Sequence, residues 1–304
     1  MVTPAGGSAQ HQLAPPAAPS RAVARETSAS AASGRAGLPR IYGSSLLLWI
    51  GVVPLVFFLV VPLLVLLART AATGGVLGYL SDPVVVGALR LSVLTTLATV
   101  VITLLLGTPA AYLLARYRFP GRDALDTLLD LPMVLPPSVA GIALLMTLGR
   151  RGTFGPALSA LGIEISFTTT AVILAQLFIA APFYVKAARS GFETVDRALE
   201  EAAAVFGASP WSTFRYVTVP LALPALLAGV VMSWARALGE FGATILFAGN
   251  LVGITQTMPL AIYAAMERDL NAALVLASIL VGVSFAVLLA VKALAGPSLT
   301  RLPR

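Results

Sequence analysis

The sequence predicts an all-α polytopic membrane protein with six transmembrane helices. Of its 304 residues, 58% are hydrophobic and 11% are charged, whereas ordinary globular domains carry about 25% charged residues. Several uncharged runs approach or reach the roughly 20 residues that a helix needs to cross a bilayer. A buried core helix would explain one such run, but six of them leave no polar surface to enclose a soluble core. The runs are continuously apolar rather than alternating, which disfavours a membrane β-barrel.

The six candidate spans follow one another along most of the chain. In order they are Leu46–Ala68, Leu91–Leu114, Leu131–Leu148, Thr168–Val185, Leu221–Phe247 and Ala272–Val291. Five of them are uncharged, and the fifth contains Arg236 and Glu240. The third begins with LPMVLPPS (131–138), which holds more prolines than a helix boundary needs. We expect a bend there, as a simple kink or as part of a pathway.

The basic residues orient these spans. With the N-terminus inside, fourteen Lys and Arg residues fall in inner segments and five in outer segments. Cytoplasmic loops of membrane proteins carry the excess of Lys and Arg. The sequence therefore predicts that both termini are cytoplasmic.

The segments outside the spans differ in composition. Residues 1–43 are rich in Ala, Pro, Ser, Gly and Arg, which predicts a disordered cytoplasmic N-terminal tail. The apolar run that follows begins too late and is too long for the h-region of a signal peptide, so we expect it in the mature protein. Residues 44–83 then hold the first transmembrane helix and an outer loop, 84–292 the other five spans, and 293–304 a cytoplasmic C-terminal tail.

Several classes of chemistry are excluded by composition. The chain has no cysteine, and its one histidine is His11 in the predicted tail, which rules out disulfides, thiol nucleophiles and cysteine-ligated metal sites. Neither Lys186 nor Lys292 belongs to a phosphate-binding P-loop, and neither lies well within a span as an intramembrane Ser–Lys dyad would need. The net charge of +7 is spread along the chain, which does not favour nucleic-acid binding. An ion-coupled secondary transporter stays an alternative, although no inverted repeat is evident.

The longest inner connection is Lys186–Pro220, about 35 residues in which the charges cancel. A structureless loop of that length would be unusual in a compact membrane protein. Helix-forming residues from Phe192 to Phe206 predict a short amphipathic helix, which Gly207 and then Pro210 end. A folded element at this place indicates contact with a partner.

Within this connection stands the run EEAAAVFGASPWSTFRYVTVP (200–220). Its Glu201, Ala202, Ala203, Gly207 and Pro220 match the pattern E-A-A-x3-G-x9-I-x-L-P, with valine at both aliphatic positions. This pattern resembles the coupling motif of the membrane subunits of ATP-binding-cassette (ABC) importers. An amphipathic helix lying on the bilayer surface is the alternative reading.

The resemblance implies a type I ABC importer permease fold over residues 84–292, with 186–220 as the ATPase-coupling loop. It implies a pair of ABC ATPase subunits, an external substrate-binding protein, a second copy of this chain in a homodimer and membrane lipid as partners, and no nucleic acid. The chain itself would not be an enzyme and would hold no cofactor or metal, because the partner ATPase would bind ATP and magnesium.

A second stretch narrows the resemblance. The runs WARALGEFGATILFAGN (234–250) and TQTMPLAIYAAME (255–267) resemble molybdate permeases of the ABC importer group. Sulfate/thiosulfate permeases share the core Arg-x-x-Gly-Glu-aromatic-Gly and stay open as the alternative. The resemblance covers about Val84–Val291 and leaves the N-terminal tail unmatched.

Two charges four residues apart in this stretch form a candidate pathway or gate. On one continuous helix, Ser233, Arg236, Glu240 and Thr244 would share a polar stripe. A charge near the bilayer centre is costly and normally faces a partner or a water-filled cavity. The stripe therefore predicts a translocation pathway that attracts an oxyanion weakly, or else a structural ion pair that fixes this helix against its neighbour.

Overall fold

The computed structural model describes residues 45–73, 78, 79 and 81–299. Its helices, numbered in chain order, are α1 Ser45–Ala72, α2 Pro83–Arg116, α3 Arg122–Val134, α4 Pro137–Leu148, α5 Gly155–Ala160, α6 Thr169–Thr194, α7 Arg197–Val205, α8 Pro210–Thr213, α9 Val219–Leu238, α10 Gly242–Phe247, α11 Met258–Met266 and α12 Leu270–Leu299. A π-helical turn, Phe214–Thr218, joins α8 to α9. No strand occurs in the described part of the chain. The predicted disordered tail, residues 1–43, lies outside it.

The predicted membrane spans are present. Five helical stretches are long and apolar enough to cross a bilayer, and α3 with α4 make a sixth if the two count as one span. This pair is bent by 114°. The break follows from the sequence, because Pro136 and Pro137 lack the N–H groups that would continue the helix. The expected bend is confirmed, but the span begins at Arg122 rather than at Leu131.

The described residues fall into two compact units, one that ends at Pro62 and one that begins at Leu63. In the first unit the described side chains from Trp49 to Val60 are exposed and almost all apolar. The span to which they belong, Trp49–Ala72, has a mean hydropathy of 3.0, which suits contact with lipid tails.

In the second unit α6 is the central helix, packed between α2 and α9. Small residues let the helices approach closely: a Cβ added at Gly107 of α2 would lie 3.0 Å from the Tyr184 ring, and one at Gly229 of α9 would lie 3.0 Å from the Ala187 side chain. Helices that pack in a membrane commonly meet through such small residues. A cluster of large side chains around Tyr184 and Phe192, both almost fully buried, fills the remaining space.

Hydroxyl groups on α2 add polar contacts inside this core. Ser92, Thr95, Thr96, Thr99 and Thr103 are all nearly fully buried. Thr99 donates to the side-chain oxygen of Gln176 on α6 at 3.1 Å, and the backbone N–H of Met258 donates to Ser92 at 2.7 Å. These bonds tie α2 to α6 and α11 where no water is available.

Three further predicted segments have different bounds in the structure. Helix α6 continues to Thr194, so Lys186 is helical and the inner connection starts at Val195 rather than at Lys186. Helix α12 continues to Leu299, so most of the expected C-terminal tail is helical. The predicted fifth span, Leu221–Phe247, is not one helix, because α9 ends at Leu238 and α10 starts only at Gly242.

Candidate functional site

The connection between α6 and α9, here called the coupling segment (residues 195–218), is a helix–turn–helix. Helix α7 starts after Asp196, whose carboxylate accepts from the backbone N–H of Ala198 at 2.9 Å. It ends at Val205, and Gly207 then adopts φ +85°, a left-handed conformation in which glycine carries no Cβ penalty. The predicted short helix and its termination at Gly207 are confirmed, although the helix begins at Arg197.

The motif residues lie on the exposed side of this segment. Glu201, Ala202 and Gly207 are exposed and Ala203 is half-buried, while Pro220 lies in the first turn of α9. Large apolar side chains are exposed beside them, and these are Leu199, Val205, Phe206, Trp211 and Tyr216. Phe206 is 91% exposed. An exposed group of large apolar residues is typical of a surface that contacts another protein or a membrane.

The coupling segment is held against the ends of the spans by charged side chains. The sequence itself predicted no role for these side chains. Arg116, the last residue of α2, forms an ion pair with Glu200 at 3.0 Å and donates to the Val195 carbonyl at 3.0 Å. The Thr218 hydroxyl donates to the same Glu200 carboxylate at 2.6 Å. Arg197 donates to the carbonyl of Arg116 at 3.2 Å.

Aromatic rings pack beside this polar anchor. The rings of Tyr112 and Phe214 meet edge to face with centroids 4.9 Å apart, and Tyr112 meets Phe192 in the same way at 5.5 Å. Trp211 stacks on Phe214 at 5.6 Å. Such aromatic pairs stabilise a contact beyond the area they bury. The ends of α2 and α6 and the start of α9 are therefore joined into one packed unit.

Helix α3 is attached to the same end of α6 by charge. Asp130 pairs with Lys186 at 2.6 Å, Asp126 pairs with Arg189, and Arg189 also pairs with Glu193 at 2.9 Å. Lys186 and Arg189, which belong to the predicted inner connection, are thus neutralised partly by acidic residues of α3 that lie outside it.

The intramembrane pair has a geometry that the helical-stripe prediction did not anticipate. Arg236 and Glu240 do meet, with Nη1 and Oε2 2.7 Å apart. Because α9 has ended at Leu238, Glu240 turns inward, and its Oε1 accepts from the backbone N–H of Ala243 at 2.8 Å. The Glu240 side chain is 0% exposed and that of Arg236 is 27% exposed.

The other two candidates of the stripe also lie inside the protein. Ser233 is almost fully buried one turn beyond Gly229, on the side of α9 that packs on α6, and Thr244 is fully buried in α10. The prediction of one polar stripe on a continuous helix is therefore wrong, because Thr244 lies on α10 and not on α9. Among Ser233, Arg236, Glu240 and Thr244 only Arg236 reaches the surface of the chain. A pathway role for these residues stays a prediction.

The coupling segment and the Arg236–Glu240 pair offer an apolar surface and a charged group for non-covalent contacts. Among the described residues, no group of three or more His, Asp or Glu side chains is placed to hold a metal ion. The coupling segment offers an apolar docking surface on a charged anchor, and the Arg236–Glu240 pair offers a partly exposed cation whose charge is largely neutralised.

Comparison with known families decides the class. Residues 104–301 match the family model described as "Binding-protein-dependent transport system inner membrane component". The chain belongs to this family. It is accordingly a multi-pass inner-membrane transport component that serves translocation and is not an enzyme.

Individual relatives agree with this assignment. The transport component is 46% identical over 206 residues to "Molybdenum transport system permease protein ModB" of Mycobacterium tuberculosis, covering 68% of this chain and 78% of that protein. It is 36% identical over 239 residues to "Probable sulfate transport system permease protein cysT" of Zygnema circumcarinatum, covering 78% and 83%.

A solved structure has the same fold. A chain of a bacterial alginate ABC transporter, in complex with an alginate pentasaccharide-bound periplasmic protein, superposes with a TM-score of 0.69 and 15% identity, covering 87% of the transport component and 97% of that chain. The predicted all-α fold of an ABC importer permease is confirmed.

Proposed function

We propose that the chain is the membrane subunit of an ABC importer that moves molybdate across the cytoplasmic membrane. The observation that carries the proposal is the coupling segment, in which an exposed apolar helix–turn–helix is anchored by charge to the ends of the spans. A rigid, exposed element of this kind suits a partner that moves and must transmit its displacement. The oxyanion is assigned from the 46% identity to the molybdenum permease, against 36% for the sulfate permease.

The partner at the coupling segment would be a pair of ABC ATPase subunits that bind ATP and magnesium. Ala202 and Ala203 give α7 small side chains beside the exposed Glu201, which suits insertion into a groove. Val205 and Phe206, 85% and 91% exposed, would be buried at the contact. Burial of such side chains typically contributes about 1.5–3 kcal/mol each, which would be part of the binding free energy of a larger contact.

On the opposite face an external binding protein would deliver the anion, and two copies of the chain would enclose the pathway between them. Arg236 is the candidate that attracts the anion, since its guanidinium is partly exposed while Glu240 offsets its charge. Weak attraction favours transport, because a pathway must also release what it binds. Both termini lie in the cytoplasm in this arrangement, as the distribution of Lys and Arg predicts.

Sulfate import is the second candidate function. The similarity to the sulfate permease covers 78% of this chain. The partly neutralised charge of Arg236 beside Glu240 suits either tetrahedral dianion. Since such an importer takes its selectivity largely from the binding protein, uptake must be measured with both anions.

The test combines ATPase capture with uptake. The candidate ATPase is co-purified with the wild-type chain, with Phe206→Asp, and with the control Leu161→Asp, which places the same charge at another exposed apolar residue, 74% exposed. We expect Phe206→Asp to lose both the ATPase and molybdate uptake in cells that lack their own importers, and Leu161→Asp to keep the ATPase.

Three results would change the assignment. Uptake that persists without a bound ATPase would overturn the ABC importer and favour a secondary transporter. Sulfate uptake in place of molybdate uptake would reassign the substrate alone. Reporter fusions that place either terminus outside would overturn the orientation.

A further inference from the structure

Helix α7 carries the motif of the coupling segment, yet it has no fully buried side chain. A surface helix is normally held by an apolar stripe against the core. Here the large apolar residues Leu199 and Val205 are exposed instead, at 49% and 85%. Polar contacts and the chain connections at its two ends therefore hold α7 on the membrane domain.

The central polar contact is the Glu200 clamp, defined as Glu200, Arg116, Thr218 and the Val195 carbonyl. Glu200 Oε1 accepts from Arg116 Nη2 at 3.0 Å and from the Thr218 hydroxyl at 2.6 Å. Arg116 Nη2 also donates to the carbonyl oxygen of Val195 at 3.0 Å. One carboxylate oxygen thus links α7 to the last residue of α2 and to the turn that opens α9.

The clamp is shielded from solvent. The Arg116 and Glu200 side chains are 8% and 17% exposed, and Thr218 is fully buried. Charge-assisted hydrogen bonds are stronger than neutral ones, and low solvent access strengthens them further. The neighbouring Glu201 is exposed, so two consecutive glutamates have different environments and different roles.

The backbone at the clamp is also unusual. Thr218 ends the π-helical turn Phe214–Thr218, which lies directly between α8 and the membrane-spanning α9. π-Turns are rare and occur often at functional sites. Thr218, which donates to Glu200, thus lies at the junction between α8 and the membrane-spanning helix.

We propose that Glu200 is a positioning residue for transport, which transmits the displacement of α7 to α2 and α9 through Arg116 and Thr218. The inference rests on the proposed function, since it needs an ATPase that moves α7. Without the Glu200 carboxylate the ATPase still docks on the exposed face of α7 and hydrolyses ATP, but the displacement of α7 no longer moves the membrane spans.

The test uses the full complex of permease, ATPase and binding protein in proteoliposomes. Glu200→Gln keeps the size and one acceptor oxygen of the side chain and removes its charge. We expect ATPase capture and ATP hydrolysis to stay within about twofold of wild type, and molybdate transported per ATP to fall about tenfold. Thr218→Val, which removes one donor and keeps the ion pair, should give an intermediate loss.

The matched control is Glu164→Gln, which removes the exposed Arg150–Glu164 pair, whose side chains are 66% and 53% exposed. This variant should transport as wild type does. Reversal of the pair, Arg116→Glu with Glu200→Arg, should recover part of the transport lost in Glu200→Gln. A purely structural role would instead lower capture, hydrolysis and transport together.

Two outcomes overturn the inference while leaving the importer intact. The first is an unchanged ratio of transport to ATP hydrolysis in both Glu200→Gln and Thr218→Val. The second is a loss of ATPase capture in proportion to the loss of transport in both variants. Failure of the wild-type chain to capture any ATPase would overturn the proposed function first, and the role of Glu200 with it. Should Glu200→Gln not yield folded protein, Thr218→Val and the reversed pair decide the result.

Discussion

The close contact of α6 with α9 at Gly191 makes a sharp prediction about stability. A Cβ added at Gly191 would lie 2.5 Å from the Cβ of Ala225 and 3.4 Å from the carbonyl oxygen of Ala222. The first distance is far below an ordinary contact between carbon atoms, about 3.5–4.0 Å. The two helices must therefore move apart in Gly191→Ala.

The expected cost follows from two opposing effects. Overpacking a close contact typically costs about 1–3 kcal/mol. Alanine is more favourable than glycine inside a helix by about 0.5–1 kcal/mol, which offsets part of that cost. We expect the free energy of unfolding of Gly191→Ala to fall by about 0.5–2 kcal/mol.

Each purified variant is heated in detergent, and the fraction that stays monodisperse is measured by size-exclusion chromatography. The temperature at which half of the protein is lost is the melting midpoint of that variant. Gly87→Ala in α2 is the matched control, because a Cβ there meets nothing within 4 Å. Its midpoint should equal or exceed that of wild type. In an Ala225→Gly background the 2.5 Å contact is absent, so Gly191→Ala should lower the midpoint much less there than it does in the wild type.

The reasoning is refuted in either of two ways. Gly191→Ala with the same midpoint as Gly87→Ala would mean that the helices are not in close contact at this position. An equal loss from Gly191→Ala in the wild-type and in the Ala225→Gly background would mean that the Ala225 side chain is not the obstacle.

Three further predictions concern single groups. Glu240→Ala removes the acceptor for the N–H of Ala243, so its free energy of unfolding should be lower than that of Glu240→Gln by about 1–2 kcal/mol. Equal melting midpoints of the two variants would contradict a stabilising role for this hydrogen bond. Gly207→Ala must hold φ +85° at a cost of about 1–2 kcal/mol and should weaken ATPase capture, whereas Gly207→Asn should weaken it less; equal capture by both would contradict this. The hydrogen bond from Tyr79 holds the pKa of Asp269 below its ordinary value, so the contribution of the carboxylate to stability is present above about pH 4 and is lost as the pH falls through the lowered pKa. The melting midpoint of Asp269→Asn should be lower than that of wild type near neutral pH and should approach it in acid. A difference between the two midpoints that stays constant with pH would contradict this prediction.

Hydropathy alone was sufficient to predict the spans, since few other arrangements bury runs of this length. The bend between α3 and α4 was also predictable, because consecutive prolines remove backbone donors. The break after Leu238 was not, because Gly239 and Gly242 are compatible both with a continuous helix and with a turn. The spacing of Arg236 and Glu240 suits an ion pair in either case, so the sequence predicted the pair but not its burial.

In the coupling segment, too, the sequence predicted the local features but not the long-range contacts. The spacing of Glu201 and Gly207 is local information, and the sequence was enough to find it. The pairing of Arg116 with Glu200 joins residues 84 positions apart, and nothing in the local sequence separates Glu200 from its neighbour. Only the packing of α7 against the ends of α2 and α9 decides which glutamate is anchored and which is exposed.

The bent α3–α4 pair also constrains the order in which the chain enters the membrane during synthesis. With 13 and 12 residues, α3 and α4 are each only about 20 Å long, short of the roughly 30 Å hydrocarbon core. The acidic residues of α3 find their basic partners on α6 56 and 63 positions later. The charges of α3 can therefore be paired in this way only after α6 has been synthesised.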